Sequence, residues 1–293
     1  MDLKQLTYFV TIVEQKSFSK AASVLHISQP SLSNAIKNLE EEVGFKLLER
    51  NTRNIGLTES GQLLYERALH ILLDMTILEK EMQEARLVGK GELRLGMIES
   101  VKHWIPKVIR KYEGKFPDMN LFLTEELSGE DVKRSLRQYK SHAIITNQLI
   151  DEDDIQTVPL YKEKLVLVVH EDHPLANKDA VELSDLQEEP FIITSEGFQT
   201  REDVLETFTA KGISPYIKYE VERFETALSL ILENLGVSLI PENYLADRLS
   251  ARLVHKEIVS SSLERKVYLT YLKDRYMAPA IEAFIEETIL FFR

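Results

Sequence analysis

Residues Phe18 to Leu39 read FSKAASVLHISQPSLSNAIKNL, and this stretch decides the fold of the N-terminal part of the chain. Its apolar residues follow helical spacing on both sides of a break at residues 26–28, which predicts a helix, a turn and a second helix. Pro30 falls in the first turn of the second helix, where a missing backbone N–H costs no hydrogen bond. The inward face of that helix is apolar and consists of Leu32, Ala35, Ile36 and Leu39.

The outward face of the second helix is polar and carries no carboxylate before Glu40. Its residues are Gln29, Ser31, Ser33, Asn34 and Lys37. Short hydrogen-bonding groups and one cation suit base edges and phosphates in the major groove of DNA. The pattern therefore predicts a DNA-reading helix, and the alternative is a pair of packed helices whose outer face is merely polar.

The flanking segments complete a module. A preceding helix is predicted by the apolar stripe Leu3, Leu6, Phe9, Val10 and Val13. Two short extended pieces follow Val43, and the polar tip that joins them carries two arginines, as in a wing. Residues 3–61 closely resemble the N-terminal winged helix-turn-helix of the LysR-type transcriptional regulators. The motifs SQPSLS, LE-x-x-x-G and L-x-x-R…LT-x-x-G occur in the order and spacing of that family.

We expect the DNA contacts to come from the second helix and the wing. The candidate residues are Ser28, Gln29, Pro30, Ser31, Ser33, Asn34, Lys37, Arg50, Thr52 and Arg53. Asn34 departs from the family pattern, because many members carry Arg or His there. An asparagine at this position favours adenine.

Charge and composition agree with such a module only when they are counted by segment. The 293-residue chain has a net charge of −12, yet residues 1–58 hold seven Lys/Arg and six Asp/Glu. The acidity therefore lies outside the DNA-binding module, which attracts phosphate only locally. The chain has no cysteine, which excludes disulfides and thiol chemistry. We find no apolar run of membrane-spanning length and no signal peptide, and we expect a cytoplasmic protein.

Residues 58–88 predict one long helix with a heptad seam. The seam positions alternate in spacing between four and three, and they are Leu64, Ala68, Ile71, Met75, Leu78, Met82 and Ala85. Such a seam favours pairing with a second helix, and LysR-type proteins have a dimerising linker helix at this place. The alternative is a helix that packs only on its own domain.

From residue 91 onward strands alternate with helices, which argues for an α/β fold with mainly parallel sheets. The chain crosses between two lobes near Tyr161–Lys164 and again near Leu263–Lys266. This part, including LGVSLIP at residues 235–241, resembles the periplasmic-binding-protein-like effector domain of the same family. The predicted domains are 1–58 (DNA binding), 59–89 (linker) and 90–293 (effector binding). Lobe I then comprises 90–161 and 266–293, and lobe II comprises 162–265.

A ligand is expected in the crevice between the lobes, where the carboxyl ends of the strands meet. The candidate residues are Ser100, Ser128, Thr146, Asn147, Ser195, Phe198, Gln199 and Thr200. Ser100, Ser128 and Thr200 lie where helices are predicted to begin, so hydroxyls and free N–H groups would converge on an anion such as a small carboxylate. The alternative for each is an ordinary N-cap without a ligand. Members of the family usually carry an acidic residue within the segment that corresponds to residues 140–144, at the end of a predicted strand. This chain has His142 there instead.

Enzymatic motifs are absent: the chain has no G-x-S-x-G elbow, no phosphate-binding loop and no dinucleotide fingerprint. His170 and His173 precede Pro174 in what reads as a solvated turn, so we expect no metal and no cofactor. We predict a DNA-binding transcriptional regulator that responds to a small-molecule effector and is not an enzyme. The resemblance implies a tetramer of two dimers and an AT-biased pseudo-palindromic DNA site. The alternative is a solute-binding or enzymatic α/β domain with an appended helical module.

Overall fold

The computed structural model describes residues 1–51, 54–86, 89–126, 128–245, 250–259 and 263–293. The chain divides into two compact units, Met1–Gln83 and Glu84–Arg293. Among the described residues, none of the helices combines the length and the apolar character needed to cross a membrane.

The first unit is a helix-turn-helix with a two-stranded wing and the start of a long helix. Its elements are α1 (Leu3–Gln15), α2 (Phe18–Val24), α3 (Gln29–Val43), β1 (Leu48–Asn51), β2 (Asn54–Leu57) and α4 (Glu59–Arg86). Strands β1 and β2 pair antiparallel, with Leu48 opposite Leu57. The predicted order of helix, turn, helix and wing is confirmed.

Local signals set the ends of α3. The Ser28 side chain caps its first turn by accepting a hydrogen bond from the backbone N–H of Ser31, at 3.3 Å. Gly44 ends the helix at a φ of 80°, a left-handed conformation that glycine adopts without strain. The inward residues Leu32, Ile36 and Leu39 are fully buried against α1 and α2. The apolar periodicity of the sequence thus becomes the core of the first unit.

Gly61 lets the first turn of α4 approach the segment before the wing closely. A Cβ atom at Gly61 would lie 2.0 Å from the backbone carbonyl oxygen of Leu47. Thr58 joins the same two segments, because its hydroxyl donates to the carbonyl of Lys46 and accepts from the N–H of Gly61. Any side chain at position 61 would therefore push the long helix away from the wing.

Glu40 is a buried carboxylate that holds the segment between α3 and the wing. It accepts hydrogen bonds from the backbone N–H groups of Leu47 and Leu48, at 3.0 and 3.4 Å, and from the Lys46 ammonium at 2.7 Å. Burial by itself raises the pKa of Glu40, but these hydrogen bonds outweigh burial and hold the pKa below its ordinary value of 4.5. The ionised form therefore stabilises the folded unit at neutral pH, and this contribution is lost as the pH falls through the lowered pKa.

Replacing Glu40 by alanine is expected to loosen this segment, because the buried N–H of Leu47 loses its acceptor. The expected cost is about 1–3 kcal/mol, or roughly 5- to 150-fold faster amide hydrogen exchange at neutral pH. Exchange followed by mass spectrometry on peptides covering residues 44–57 of the full chain measures this effect. The exposed neighbour Glu41 serves as the control, and equal exchange in Glu40→Ala and Glu41→Ala would refute the role of the buried carboxylate.

The second unit is an α/β domain with two lobes. Its helices are α5 (Ile105–Glu113), α6 (Gly129–Arg137), α7 (Gln199–Ala210), α8 (Phe224–Leu232), α9 (Glu242–Leu245) and α10 (Pro279–Leu290). Its strands are β3 (Lys90–Met97), β4 (Asp118–Glu125), β5 (Ala143–Thr146), β6 (Ile155–His170), β7 (Val181–Glu182), β8 (Pro190–Thr194), β9 (Tyr216–Val221), β10 (Ser238–Pro241), β11 (Leu253–Lys256), β12 (Ile258–Val259) and β13 (Glu264–Leu272). Short 3-10 turns cover Glu99–His103, Pro174–Asn177 and Leu183–Leu186.

The prediction of mainly parallel sheets is wrong, because the strands that cross between the lobes are antiparallel. Strand β3 pairs parallel with β4 and β5, but β13 runs antiparallel to both β5 and β6. The chain leaves lobe I along β6 and returns along β13, so these two long strands must run in opposite directions. Their register places Arg265 directly opposite Glu163.

Separate hydrophobic cores define the lobes. The core of lobe I comes from residues between 93 and 161 and between 267 and 292, and it contains the single tryptophan, Trp104. The cores of lobe II come from residues between 165 and 263. Strands β6 and β13 join the two lobes, and we call the paired stretch around Glu163 and Arg265 the hinge.

Candidate functional site

The outward face of α3 is free of packing contacts with its own unit's core. Ser28, Gln29, Pro30, Ser31, Asn34 and Lys37 are exposed, and Ser33 is half-buried. Lys37 lies 3.5 Å from the Glu41 carboxylate one turn later, in an exposed ion pair. Exposed pairs of this kind contribute little to stability, so the Lys37 ammonium stays available to a phosphate.

The remaining predicted DNA contacts belong to the wing. Thr52 and Arg53 lie outside the described residues. Arg50 belongs to β1 and pairs with Ile55 across the hairpin, but only its backbone is described. The structure thus positions the two strands that lead to the wing tip.

The predicted seam of α4 has two halves that behave differently. Leu64 and Ala68 pack against Leu6 and Val10 of α1, as the alternative of a helix packed on its own domain requires. The later positions Ile71, Met75, Leu78 and Met82 are exposed in the single chain, Ile71 by 42% and Leu78 by 50%. A row of exposed apolar side chains along one helix is typical of an interaction surface.

An open crevice of about 570 Å³ lies between the two lobes. Lobe I lines it with Ser128, Gly129, Glu130, Lys133, Gln148, Leu149, Ile150, Asp151 and Glu152. Lobe II lines it with Gly197, Gln199 and Glu202. At one side the backbones of Ser128 and Phe198 form a β-bridge from lobe to lobe. The volume suits a small molecule.

A buried polar cluster lies at the hinge. It adjoins the crevice at the start of α7, where Gln199 lines the crevice and Thr200 belongs to the cluster. The Arg265 guanidinium donates from Nε to the Glu163 carboxylate at 2.7 Å and from Nη1 to the hydroxyl of Thr200. Ser100 Oγ donates to Glu163 at 3.0 Å and accepts from Arg265 Nη2 at 3.3 Å. Arg265 and Glu163 are 6% and 4% exposed. Ser100 and Thr200 therefore converge from opposite lobes on an ion pair of the protein itself.

Neighbouring side chains interact with this ion pair, by a hydrogen bond or through its charges. The amide of Asn243 donates to the second oxygen of Glu163 at 3.3 Å. Burial, together with the adjacent Glu163 charge, raises the pKa of Tyr161 above its ordinary range. Burial also raises the pKa of Asp203, although a hydrogen bond from Gln199 and the charge of Arg265 act in the opposite direction.

Glu163 and Arg265 were missed by the site prediction, although both lie inside the two predicted crossings. Each crossing holds three charged residues in an otherwise strand-like segment, and both signs of charge occur in each. The sequence therefore permits an ion pair at the hinge. It did not reveal which of the charged residues in each crossing points inward.

The other predicted effector residues differ in their surroundings. Ser128 caps α6, as the N-cap alternative requires, by accepting from the N–H of Asp131 at 3.2 Å. Thr146 is buried and accepts from the N–H of Gln148. Within the part of the chain that the structure describes, the buried amide nitrogen of Asn147 has no hydrogen-bond partner. Ser195, Phe198 and Gln199 are half-buried around the start of α7.

His142 does not lie free at its strand end, because both ring nitrogens are engaged. Nδ1 accepts from the backbone N–H of Arg94 at 2.9 Å, so the ring proton is on Nε2, which lies 3.0 Å from the Glu84 carboxylate. Burial lowers the pKa of His142, and the neutral form dominates. This histidine ties the last turn of α4 to lobe I.

Arg201, His170 and His173 have partners within lobe II. Arg201 is turned into lobe II, where it donates to the carbonyl of Thr194 and to the Glu220 carboxylate, at 2.8 and 2.9 Å. The expected solvated turn is wrong for His170 and His173: both are buried, and they belong to different hydrogen-bonded pairs, with Arg252 and Glu189. Among the described residues, no group of three or more His, Cys, Asp or Glu side chains is placed to hold a metal ion.

Two family models match the chain and together span nearly all of it. Residues 3–62 match the bacterial regulatory helix-turn-helix protein, lysR family, and residues 88–289 match the LysR substrate binding domain. The second match alone covers more than half of the chain. Both matches agree with the division into a winged helix-turn-helix and a two-lobed α/β domain.

Similar proteins and structures cover the whole chain. The HTH-type transcriptional regulator YwbI of Bacillus subtilis is 30% identical over 98% of this chain and 96% of its own length. The DNA-binding transcriptional dual regulator OxyR of Escherichia coli is 27% identical over 97% of this chain and 95% of its own length. The crystal structure of full-length CbnR with its target DNA is 25% identical, with a TM-score of 0.68, and covers 98% of this chain and 99% of that one.

Proposed function

Because the chain belongs to the LysR family, we propose that it is a sequence-specific DNA-binding transcriptional regulator whose activity a small-molecule effector modulates. The observation that carries the proposal is the exposed polar face of α3, which runs from Gln29 to Lys37. Residues 1–58 bind DNA in this proposal, residues 59–89 pair two protomers, and residues 90–293 bind the effector. The CbnR structure, which contains target DNA, supports the first of these assignments.

The two-fold arrangement follows from the geometry of a paired linker helix. The exposed seam positions Ile71 to Met82 join two copies of α4, and each copy brings one winged module to DNA. A pseudo-palindromic site matches that symmetry, and a second dimer completes the tetramer that we expect. The protein acts in the cytoplasm, where its DNA lies.

We propose no catalytic role. The solute-binding or enzymatic alternative would leave the winged module unexplained, whereas a regulator uses both parts of the chain. The relative OxyR shares the fold, but this chain has no cysteine in its 293 residues. Thiol oxidation therefore cannot carry a signal here, and a reversibly bound ligand in the crevice between the lobes is the simpler input.

Two variants of α3 test the DNA contact. Asn34→Ala is expected to cost about 1–3 kcal/mol at one base position and to relax the preference there, because a base-edge hydrogen-bonding pair is lost. Lys37→Ala is expected to weaken binding to all sequences and to reduce the slope of log affinity against log salt by about one. Fluorescence anisotropy with DNA selected from a random library by the wild-type protein measures both effects.

A surface cation of the second unit provides the control. Lys211 is exposed at the end of α7, and Lys211→Ala should leave the salt slope unchanged. An Asn34→Ala protein that selects the same sequences as the wild type would place the base-reading face elsewhere. A Lys37→Ala protein with an unchanged salt slope would remove that residue from the phosphate contacts.

A further inference from the structure

The Glu163 carboxylate occupies the place that an anionic ligand would need at the hinge. The hydroxyl of Ser100, the guanidinium of Arg265 and the amide of Asn243 all donate to its two oxygens. A hydroxyl, a guanidinium and an amide that converge on one point are the usual recognition set for a carboxylate. Here the protein supplies both the recognition set and the carboxylate.

We propose that Glu163 is an internal anion that fills the anion-binding position of the hinge, next to the crevice, and so limits the class of effector that can bind between the lobes. It excludes carboxylate-bearing molecules from the hinge, and it restricts the effector to small molecules that are uncharged or positively charged. This inference rests on the proposed function, since it concerns the ligand of the same crevice. It replaces the small carboxylate that the helix starts at Ser100, Ser128 and Thr200 suggested.

The guanidinium of Arg265 is already bonded to partners within the protein. All three of its guanidinium nitrogens are engaged: Nε and Nη2 with Glu163, Nη2 also with Ser100, and Nη1 with Thr200. An incoming carboxylate would have to displace Glu163 or lie beside it. If Glu163 is displaced, its buried charge loses its ionic partner. If the incoming carboxylate lies beside Glu163, two negative charges come together. Both outcomes are unfavourable.

The open crevice repels anions as well. Four carboxylates line it, those of Glu130, Asp151, Glu152 and Glu202, and Lys133 is its cationic lining residue. The Lys133 ammonium is paired with Glu130 at 2.8 Å and with Glu152 at 3.4 Å, and the Arg137 guanidinium is paired with Glu152 at 2.9 Å. The field along the crevice therefore favours neutral and cationic molecules over anions.

The variant Glu163→Ala tests the proposal, because the atoms it removes beyond Cβ correspond to acetate. In this variant Arg265, Ser100 and Asn243 surround a carboxylate-sized gap, and free acetate should fill it. We expect acetate to stabilise the full-length variant saturably. The unfolding constant should fall about a hundredfold when acetate reaches 100 times its dissociation constant. Urea unfolding followed by Trp104 fluorescence, with chloride at equal ionic strength as reference, measures this.

Two control variants separate the internal anion from a general salt effect. Glu163→Gln keeps the side-chain volume and should not respond to acetate. Glu202→Ala removes a carboxylate of the open crevice without touching the hinge, and it should respond to acetate no more than the wild type does. An acetate response of Glu163→Ala that equals the wild-type response would overturn the proposal.

If Glu163→Ala does not fold even in acetate, the response of the wild-type protein to carboxylates tests the proposal. We expect acetate, propionate and benzoate to cause no saturable stabilisation of the wild type. Saturable binding of any of them that disappears in Arg265→Met would show that the hinge accepts anions, and the proposal would be wrong. DNA binding is measured separately, so failure of the regulator function would show as loss of DNA affinity, whatever the acetate result.

Discussion

Replacement of Arg265 by methionine is expected to destabilise the second unit by about 3–5 kcal/mol, because it leaves the buried Glu163 carboxylate without its ionic partner. Ser100 and Thr200 lose a common partner in the same step, and of these two only Ser100 keeps a hydrogen bond to Glu163. Urea unfolding of the full chain measures the effect. Trp104, buried in the core of lobe I, reports the unfolding of this unit by fluorescence.

Two comparisons show whether the unpaired Glu163 charge causes the loss of stability in Arg265→Met. The double variant Glu163→Met/Arg265→Met should recover most of the lost stability, since a well-packed apolar pair often equals a buried ion pair. Arg137→Met breaks an exposed ion pair with Asp154 and Glu152 and should cost less than about 1 kcal/mol. If the double variant were as unstable as Arg265→Met, packing rather than charge would explain the loss.

Replacement of Leu78 by aspartate is expected to separate the protomers. Leu78 lies in the exposed half of the α4 seam, and a dimer buries two copies of it. Loss of two buried leucines costs about 3–6 kcal/mol, or roughly 10²- to 10⁴-fold in the dimer dissociation constant, before the cost of burying two carboxylates is added. Sedimentation velocity measures the dissociation constant. Affinity for a two-fold DNA site should fall with it, because each protomer then binds alone.

Lys80 provides the matched control, since it lies on the opposite face of the same helix. Lys80→Asp introduces the same side chain outside the seam and should leave the protein dimeric. The Leu78→Asp protein should keep its helical circular dichroism, because this position is already half exposed in the single chain. A Leu78→Asp protein that sediments as the wild type does would show that the seam does not hold the protomers together.

Local patterns were enough to predict the first unit. The helix ends of α3 depend on Ser28, Pro30 and Gly44, which act through their own backbone and its nearest neighbours. The inward residues of α3 follow a helical period, which can be read directly from the sequence. The role of Glu40 could not be predicted in this way, because its acceptor function depends on where the backbone of Leu47 and Leu48 comes to lie.

The α4 seam was predicted as one continuous apolar stripe. In the structure its first part is packed and its later part is exposed. Spacing identifies an apolar stripe, but it does not say what covers the stripe. Leu64 and Ala68 are covered by α1 of the same chain, whereas Ile71 and Leu78 remain exposed. The packing of α1 against the start of the helix makes this distinction.

The amino-acid sequence by itself determined the winged helix-turn-helix, the long helix and the two-lobed α/β plan, because periodicity, capping residues and motif spacing are local properties. Only the tertiary structure decided the chemistry of the hinge. Arg265 meets Glu163 across 102 positions of the sequence and Ser100 across 165. Their contact depends on the antiparallel register of β6 and β13. A shift of that register by one residue would place the two charges on opposite faces of the sheet, so charge and spacing alone could not place them.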